Sequence, residues 1–169
     1  GAGGVGLTGI GIARKYLPDH ELIVVDLDSE KLAHARQAGA DHTINPKDED
    51  ALARIRELTG AGAGAIVDFV CSGATAKLGF DATRKGGRYI GVGLYGGEIT
   101  IPTVMLPARN LTMRGSYVGK LDEMIELLDL VRSGGITPIP IATRPMSRVT
   151  ETLQDLVDGK IVGRVVVLP

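Results

Sequence analysis

The sequence predicts an α/β fold built on a doubly wound parallel sheet, and two observations carry that expectation. Short apolar runs alternate with helical patterns along residues 1 to 119, the arrangement that a parallel sheet with crossover helices requires. The chain opens on Gly1-Ala2-Gly3-Gly4-Val5-Gly6, a G-x-G-x-x-G pattern, and Asp26 follows twenty residues after the last of these glycines. In a βαβ unit that binds a dinucleotide each part has its own task. Gly1 makes the tight turn out of a strand, Gly3 lets the backbone approach a pyrophosphate, and Gly6 lets the helix lie close to the sheet. The helix that starts here aims its N–H groups and positive dipole end at the phosphates. Asp26, at the tip of the next strand, is placed to accept hydrogen bonds from ribose hydroxyls. With 24 glycines in 169 residues the glycine pattern alone proves little. The apolar strand Leu22-Ile23-Val24-Val25, ending in an acid at the required distance, gives it weight.

The elements follow in order. A first helix spans Gly3 to Leu17, with Val5, Ile12, Ala13 and Tyr16 on one stripe and Leu7 and Ile10 off it, so a second face is also covered. Pro18-Asp19 ends it, and Glu21 to Val25 is a strand. Ser29 reads as the N-cap of a helix through Leu32 and Ala35 that stops at Gly39. Asp41 to Ile44 is a short strand, and Asp50 to Thr59 a helix with Leu52, Ile55 and Leu58 inside. Ala65 to Val70 is an apolar run suited to a buried parallel strand. A helix from Thr75 to Arg84 and a strand from Tyr89 to Leu94 complete the alternation, and the glycines of that strand point to a close approach at its tip. Beyond Gly97 the pattern changes to a short strand at Glu98 to Ile101, a loop, and a strand at Leu111 to Val118. The rest is an amphipathic helix from Lys120 to Arg132, a strand around Ile139, a helix from Ser147 to Val157 and a final strand from Arg164 to Leu168. A boundary near Gly119 divides a 1–119 domain from a 120–169 segment. No strand precedes Gly1 in the sequence, so the fold is expected without its first strand.

Composition narrows the function. The net charge is −1 with no basic block, which leaves no footprint for nucleic acid. No apolar run approaches the ~20 residues of a membrane span. Cys71 is the only cysteine, so no internal disulfide forms and a cytoplasmic home is expected. His20, His34 and His42 are scattered without the spacing of metal ligands.

Along its full length the chain resembles the medium-chain alcohol dehydrogenases, most of which use zinc. The resemblance rests on the phosphate turn at Gly1 to Gly6, on Val24-Val25-Asp26-Leu27-Asp28, and on Gly39-Ala40-Asp41. It continues through Gly87-Arg88-Tyr89 to Gly93-Leu94-Tyr95-Gly96 and ends on Gly159-Lys160-Ile161-Val162-Gly163-Arg164. It implies a Rossmann domain over 1–119 that binds NAD, and a 120–169 segment that returns to the catalytic domain. Gly3, Gly4 and Val5 would form the pyrophosphate turn, Asp26 and Lys31 would hold the adenosine ribose, and Arg164 would approach the pyrophosphate. Cys71 would lie near the adenosine half. Val92, Gly93 and Leu94 would flank the nicotinamide, and backbone near Ser116 and Val118 would meet its carboxamide. Glu98 to Pro102 resembles the edge through which family members pair into homo-oligomers. Zinc ligands and substrate pocket would lie mainly outside these residues, and no catalytic residue is assigned here.

Each assignment has a plainer counterpart. Lys31 is a solvated helix lysine by default, Val92 and Leu94 suit a sheet core, and Cys71 suits a small buried position. The leading expectation is the cofactor-binding part of an NAD-dependent alcohol dehydrogenase acting on a small alcohol or carbonyl, inactive as this chain alone. Two alternatives stand beside it. One is a zinc-free reductase of the quinone oxidoreductase type, whose usual preference for NADPH Asp26 opposes. The other is a non-catalytic NAD-sensing module, which the fifty residues beyond Gly119 oppose.

Overall fold

Carboxylates, hydroxyls and glycines set most element boundaries in the computed structural model, which describes residues 1–169. Helix α1 (Gly4–Tyr16) starts directly after Gly3, and strand β1 (Ile23–Val25) leads to α2 (Ser29–Gln37). The N-cap of α2 is Asp28 rather than Ser29: its carboxylate accepts the N–H groups of Glu30 and Lys31. A charged acceptor at a helix N-terminus gains from the dipole, which a serine one position later cannot match. Strand β2 (His42–Ile44) precedes α3 (Ala51–Thr59), capped by Asp50, and β3 (Ala63–Asp68) precedes α4 (Gly73–Ala82). At α4, Ser72 and Thr75 form a reciprocal capping box. Strands β4 (Thr83–Gly91) and β5 (Thr112–Gly115) flank the short helix α5 (Met105–Arg109). Then come α6 (Leu121–Arg132), β6 (Ile141–Pro145), a 3-10 turn at Met146–Arg148, α7 (Val149–Val157) and β7 (Arg164–Leu168).

The chain packs as two units, Gly1 with Ile44–Leu121, and Ala2–Thr43 with Asp122–Pro169. In the second of these, Ala2, Leu7, Ile10, Val24, Leu32, Ala35 and Ala40 form the core, with Leu22, Ile139 and Val162 packed against it. The buried face of α1 is therefore the Leu7–Ile10 side. The expected stripe lies outward, with Val5 and Tyr16 exposed. Gly4 and Gly6 are buried with Leu7 and Ile10, and a glycine-bearing face lets the helix sit closer to its neighbours, so that side goes in. Burying Leu7 and Ile10 contributes about 1.5–3 kcal/mol each. Strands β6 and β7 pair in parallel from Ile141↔Arg164 to Pro145↔Leu168, and Arg144 on β6 bonds Asp155 on α7 at 2.7 Å. Helix α6 buries none of its residues, and its apolar stripe of Met124, Ile125 and Leu128 stays exposed.

The other unit is a three-stranded parallel sheet in the order β3-β4-β5. Its regular ladder ends level: Asp68 pairs with Gly91, and Gly91 with Gly115. Strand β4 starts earlier than expected because Thr83 pairs with Ala63, after which the register jumps to Ala65↔Arg88 and residues 84–87 bulge out. It also ends earlier, so Val92, Gly93 and Leu94 lie in the loop beyond the sheet. Glu98 to Ile101, expected as a strand, forms none. Gly96 and Gly97 (φ 94° and 127°) turn the chain against the start of α4, where Gly96 bridges Ser72, and Pro102 has no N–H to give. Helix α5 occupies a stretch expected to be loop. Strands β1 and β2 pair with each other and not with β3-β4-β5.

Candidate cofactor site

Around the glycine turn, the chain itself distinguishes glycines that packing demands from one that it does not. A Cβ on Gly4 would lie 2.6 Å from the Gly163 carbonyl oxygen and would collide with the Arg164 guanidinium. Close approach of the 163–164 segment therefore requires glycine at position 4. At Gly3 a Cβ would meet nothing within 4 Å, and φ −71° with ψ −172° suits any residue. Nothing inside the protein requires glycine there, which leaves the space in front of it for an approaching group. Gly3 is the N-cap of α1 without a side-chain cap, and the first helical bond runs from the Leu7 N–H to the Gly3 carbonyl at 2.8 Å. The N–H groups of the first turn thus face outward with the Arg164 guanidinium beside them, an anion-binding arrangement. Gly1 is half-buried, Val5 is exposed and Gly6 is buried.

Asp26 lies one residue beyond β1. Its Oδ2 accepts the Ala2 N–H at 2.7 Å and its Oδ1 the Asp28 N–H at 3.0 Å. The carboxylate thereby pins the glycine turn to the end of β1, and each oxygen keeps a second lone pair. Lys31 is not a solvated lysine. Its side chain is 14% exposed, its Nζ donates to the Gly159 carbonyl at 2.7 Å, and Asp28 Oδ2 lies 3.8 Å away. Lys31 therefore joins the 159–164 stretch to α2, and Gly163 and Arg164 lie against the glycine turn at Gly4.

The unit built on β3-β4-β5 carries an open cleft of about 670 Å³ beyond the carboxyl ends of its strands, the position where open α/β sheets bind ligands. Val92, Gly93, Leu94, Ser116 and Cys71 line it. Leu94 is 80% exposed, so it is not sheet core. A Cβ on Gly93 would lie 2.6 Å from the Phe69 carbonyl carbon, so the close approach expected from the strand's glycines is to the chain after β3. The Ser116 N–H donates to the Gly91 carbonyl at 2.8 Å. Val118 is not part of the lining. It is exposed, with a φ of 47° that non-glycine residues rarely adopt.

Tyr89, which lines this cleft, and its buried partner Asp68 were not singled out by sequence. Asp68 Oδ1 accepts the N–H groups of Val70 and Cys71, each at 2.9 Å, and Oδ2 accepts the Tyr89 hydroxyl at 2.9 Å. Burial works to raise the Asp68 pKa, but hydrogen bonds from Cys71, Val70, Thr75 and Tyr89 hold the carboxyl below its usual range. Burial first, and then Asp68, push the Tyr89 phenol far above its ordinary value. The sequence carried a partial signal for Asp68, an acid inside the apolar run Ala65 to Val70, although only the structure shows that β3 ends on it.

No three His, Cys, Asp or Glu side chains in this chain converge to hold a metal ion, so its residues do not fit a zinc site. No helix is long and apolar enough to cross a membrane.

Sheet order, glycine turn and strand-end cleft together define a domain of the Rossmann type. Comparison with known proteins narrows this: residues 4–133 match the family model for zinc-binding dehydrogenases. The chain belongs to that family and resembles its alcohol dehydrogenases. It is 32% identical over 168 residues to an NAD-dependent alcohol dehydrogenase of Sulfurisphaera tokodaii, covering 99% of this chain and 48% of that protein. The crystal structure of the alcohol dehydrogenase from Aeropyrum pernix superposes with a TM-score of 0.93 at 32% identity, over 100% of this chain and 48% of the other. A quinone oxidoreductase from Pseudomonas syringae (TM-score 0.80, 24% identity, 99% of this chain and 54% of the other) shares the fold. The chain thus spans about half the length of the relatives it matches.

Proposed function

We propose that this chain is the NAD-binding part of a dehydrogenase that moves a hydride between a small alcohol or its carbonyl product and the nicotinamide. The observation that carries the reading is Asp26, whose carboxylate ends β1 and bonds the Ala2 N–H of the glycine turn at 2.7 Å. That bond ties an acceptor for ribose hydroxyls to a turn suited to phosphate. The remaining lone pairs accept the 2′- and 3′-hydroxyls of NAD, and the negative charge repels a 2′-phosphate. The outward N–H groups at Gly4, Val5 and Gly6 and the Arg164 guanidinium bind the pyrophosphate, with Gly3 leaving room for it. Lys31 adds positive charge beside the ribose. Val92 and Leu94 contact the nicotinamide, Cys71 and Gly93 close that side of the cleft, and backbone near Ser116 and Val118 meets the carboxamide. The nicotinamide supplies the chemistry, since its C4 accepts or returns the hydride.

In the full-length protein residues 120–169 return to a catalytic domain, and copies associate through the 98–102 segment. Zinc, where the full-length protein uses it, is held by residues other than these. The kinship with NAD-dependent alcohol dehydrogenases supports the choice of cofactor and reaction class.

Cofactor binding to the full-length protein tests this. A hydrogen bond to a charged group contributes about 1.5–3 kcal/mol, so Asp26→Ser weakens NAD about ten- to hundredfold and relaxes discrimination against NADP. An unchanged ratio of the two affinities refutes the role of Asp26.

A further inference from the structure

We propose that Asp68 and Tyr89 are a buried positioning pair that sets the walls of the cleft for the nicotinamide, an inference that rests on the NAD-binding reading above. Both residues are buried, 5% and 7% exposed, and neither belongs to the ligand contacts assigned above. One oxygen of the Asp68 carboxylate holds the Val70 and Cys71 N–H groups, and the other holds the Tyr89 hydroxyl, all at 2.9 Å. The main-chain oxygen of the same residue accepts the N–H groups of Val92 and Gly93 at 2.9 and 3.1 Å. A single residue therefore fixes both the turn after β3 and the path of the chain after β4.

The turn needs such a hold. Cys71 has a φ of 56°, in the left-handed region that costs a non-glycine residue about 1–2 kcal/mol, and its Sγ lies 3.4 Å from the Asp68 carbonyl and 3.7 Å from the Tyr89 hydroxyl. The two walls also touch, because no Cβ fits between Gly93 and the Phe69–Val70 backbone. A shift of the turn must therefore shift Val92 and its neighbours. Tyr89 supplies the donor that keeps the buried carboxylate oxygen satisfied. Without it the acid keeps only the Val70, Cys71 and Thr75 donors, and the hold on the turn loosens.

Tyr89→Phe in the full-length protein removes that donor and keeps the ring, which packs so closely under α4 that a Cβ on Gly79 would lie 2.6 Å from it. Affinity for NAD is expected to fall about tenfold. Affinity for ADP-ribose, which lacks the nicotinamide, stays unchanged, and amide exchange at Val70 and Cys71 accelerates. Asp68→Asn, whose side-chain oxygen still accepts the two N–H groups and whose amide can donate to the phenol, loses less NAD affinity than Tyr89→Phe. It carries the same NAD-selective prediction should Tyr89→Phe not fold. Equal losses for NAD and ADP-ribose, or no change in NAD affinity or in exchange, overturn the pair's role. Failure of the unsubstituted protein to bind NAD overturns the functional reading and this proposal with it, and it is distinguishable because no substitution is involved.

Discussion

Two glycines on one helix are expected to respond to the same substitution with opposite signs. At Gly4 an added methyl group would stand 2.6 Å from the Gly163 carbonyl oxygen and would overlap the Arg164 guanidinium. Arg164 can swing away, but the carbonyl belongs to a backbone whose next N–H is bonded to Pro140 at 2.9 Å, and Gly163 itself has φ 74° with its own Cα hydrogen aimed at the Pro140 carbonyl. The strain therefore has no cheap outlet, and overpacking of this kind costs about 1–3 kcal/mol. At Gly11, on the same helix, a Cβ would sit 3.6 Å from the Ile136 Cβ, an ordinary contact. There Gly→Ala gains helix propensity, up to about 1 kcal/mol. Thermal melts of the full-length variants should show Gly4→Ala lowered by several degrees and Gly11→Ala equal to the parent or raised, since 1 kcal/mol moves a domain of this size by about 2–4 °C. Gly3→Ala gives a third point. It should alter stability by less than about 1 kcal/mol while weakening NAD, because the space its Cβ enters is the space proposed for the pyrophosphate. A Gly4→Ala protein as stable as the parent refutes the close approach of the 163–164 segment, and with it the placement of Arg164 beside the turn.

The remaining expectations concern assembly and acid stability. Between Glu98 and Ile101 exposure alternates, with Ile99 and Ile101 half-buried and Glu98 and Thr100 exposed, and no ladder within the chain engages the segment. Sedimentation of the full-length protein at micromolar concentration should therefore find at least a dimer, and Ile99→Lys should dissociate it; a monomeric parent, or a dimer indifferent to the lysine, contradicts the pairing. The Asp68 pKa is lowered from its ordinary 3.8 in the folded state, so its contribution to stability is complete above about pH 4 and is lost as the pH falls through the lower folded value. Asp68→Asn should flatten this acid limb of the stability curve, and an acid limb unchanged by the substitution argues against a carboxylate ionised in the fold.

Much of the architecture was legible because local chemistry and tertiary packing agree. Asp50 to Thr59 and Arg164 to Leu168 are the helix and strand that their patterns predict, since an acid caps the one and β-branched residues fill the other. The failures occur where two local readings compete. Helix α1 has two apolar stripes, and only contact with the core ranks them; the useful sign was that Gly4 and Gly6 go inside with Leu7 and Ile10. The stretch after Pro102 read as a loop, yet it holds α5 (Met105–Arg109), and the proline at 107 fits there because a proline in the first turn of a helix gives up an N–H that has no partner. Thr83 and Arg84 read as the end of a helix, but α4 stops at Ala82, Thr83 pairs with Ala63, and residues 84–87 loop out as a bulge. No local pattern announces such a register jump, because it depends on where the neighbouring strand ends.

The two strand-end acids show why a motif locates a site more readily than it assigns a role. Asp26 and Asp68 each close an apolar strand, and each accepts a backbone N–H two residues further on, from Asp28 at 3.0 Å and from Val70 at 2.9 Å. The difference is what else reaches them. Asp26 receives one further N–H, from Ala2 in the glycine turn, and remains only half-buried, which leaves lone pairs for the ribose proposed above. Asp68 receives the Cys71 N–H and the Tyr89 hydroxyl and is 5% exposed, so its bonding capacity is taken up within the fold. Tyr89 follows Asp68 by twenty-one residues and meets it only because β4 lies beside β3 in a register that aligns Ile66 with Tyr89 and Asp68 with Gly91. The two carboxylates, proposed for a ligand and for positioning, thus both stand at the ends of short apolar strands, and the strand pairing is what separates their surroundings.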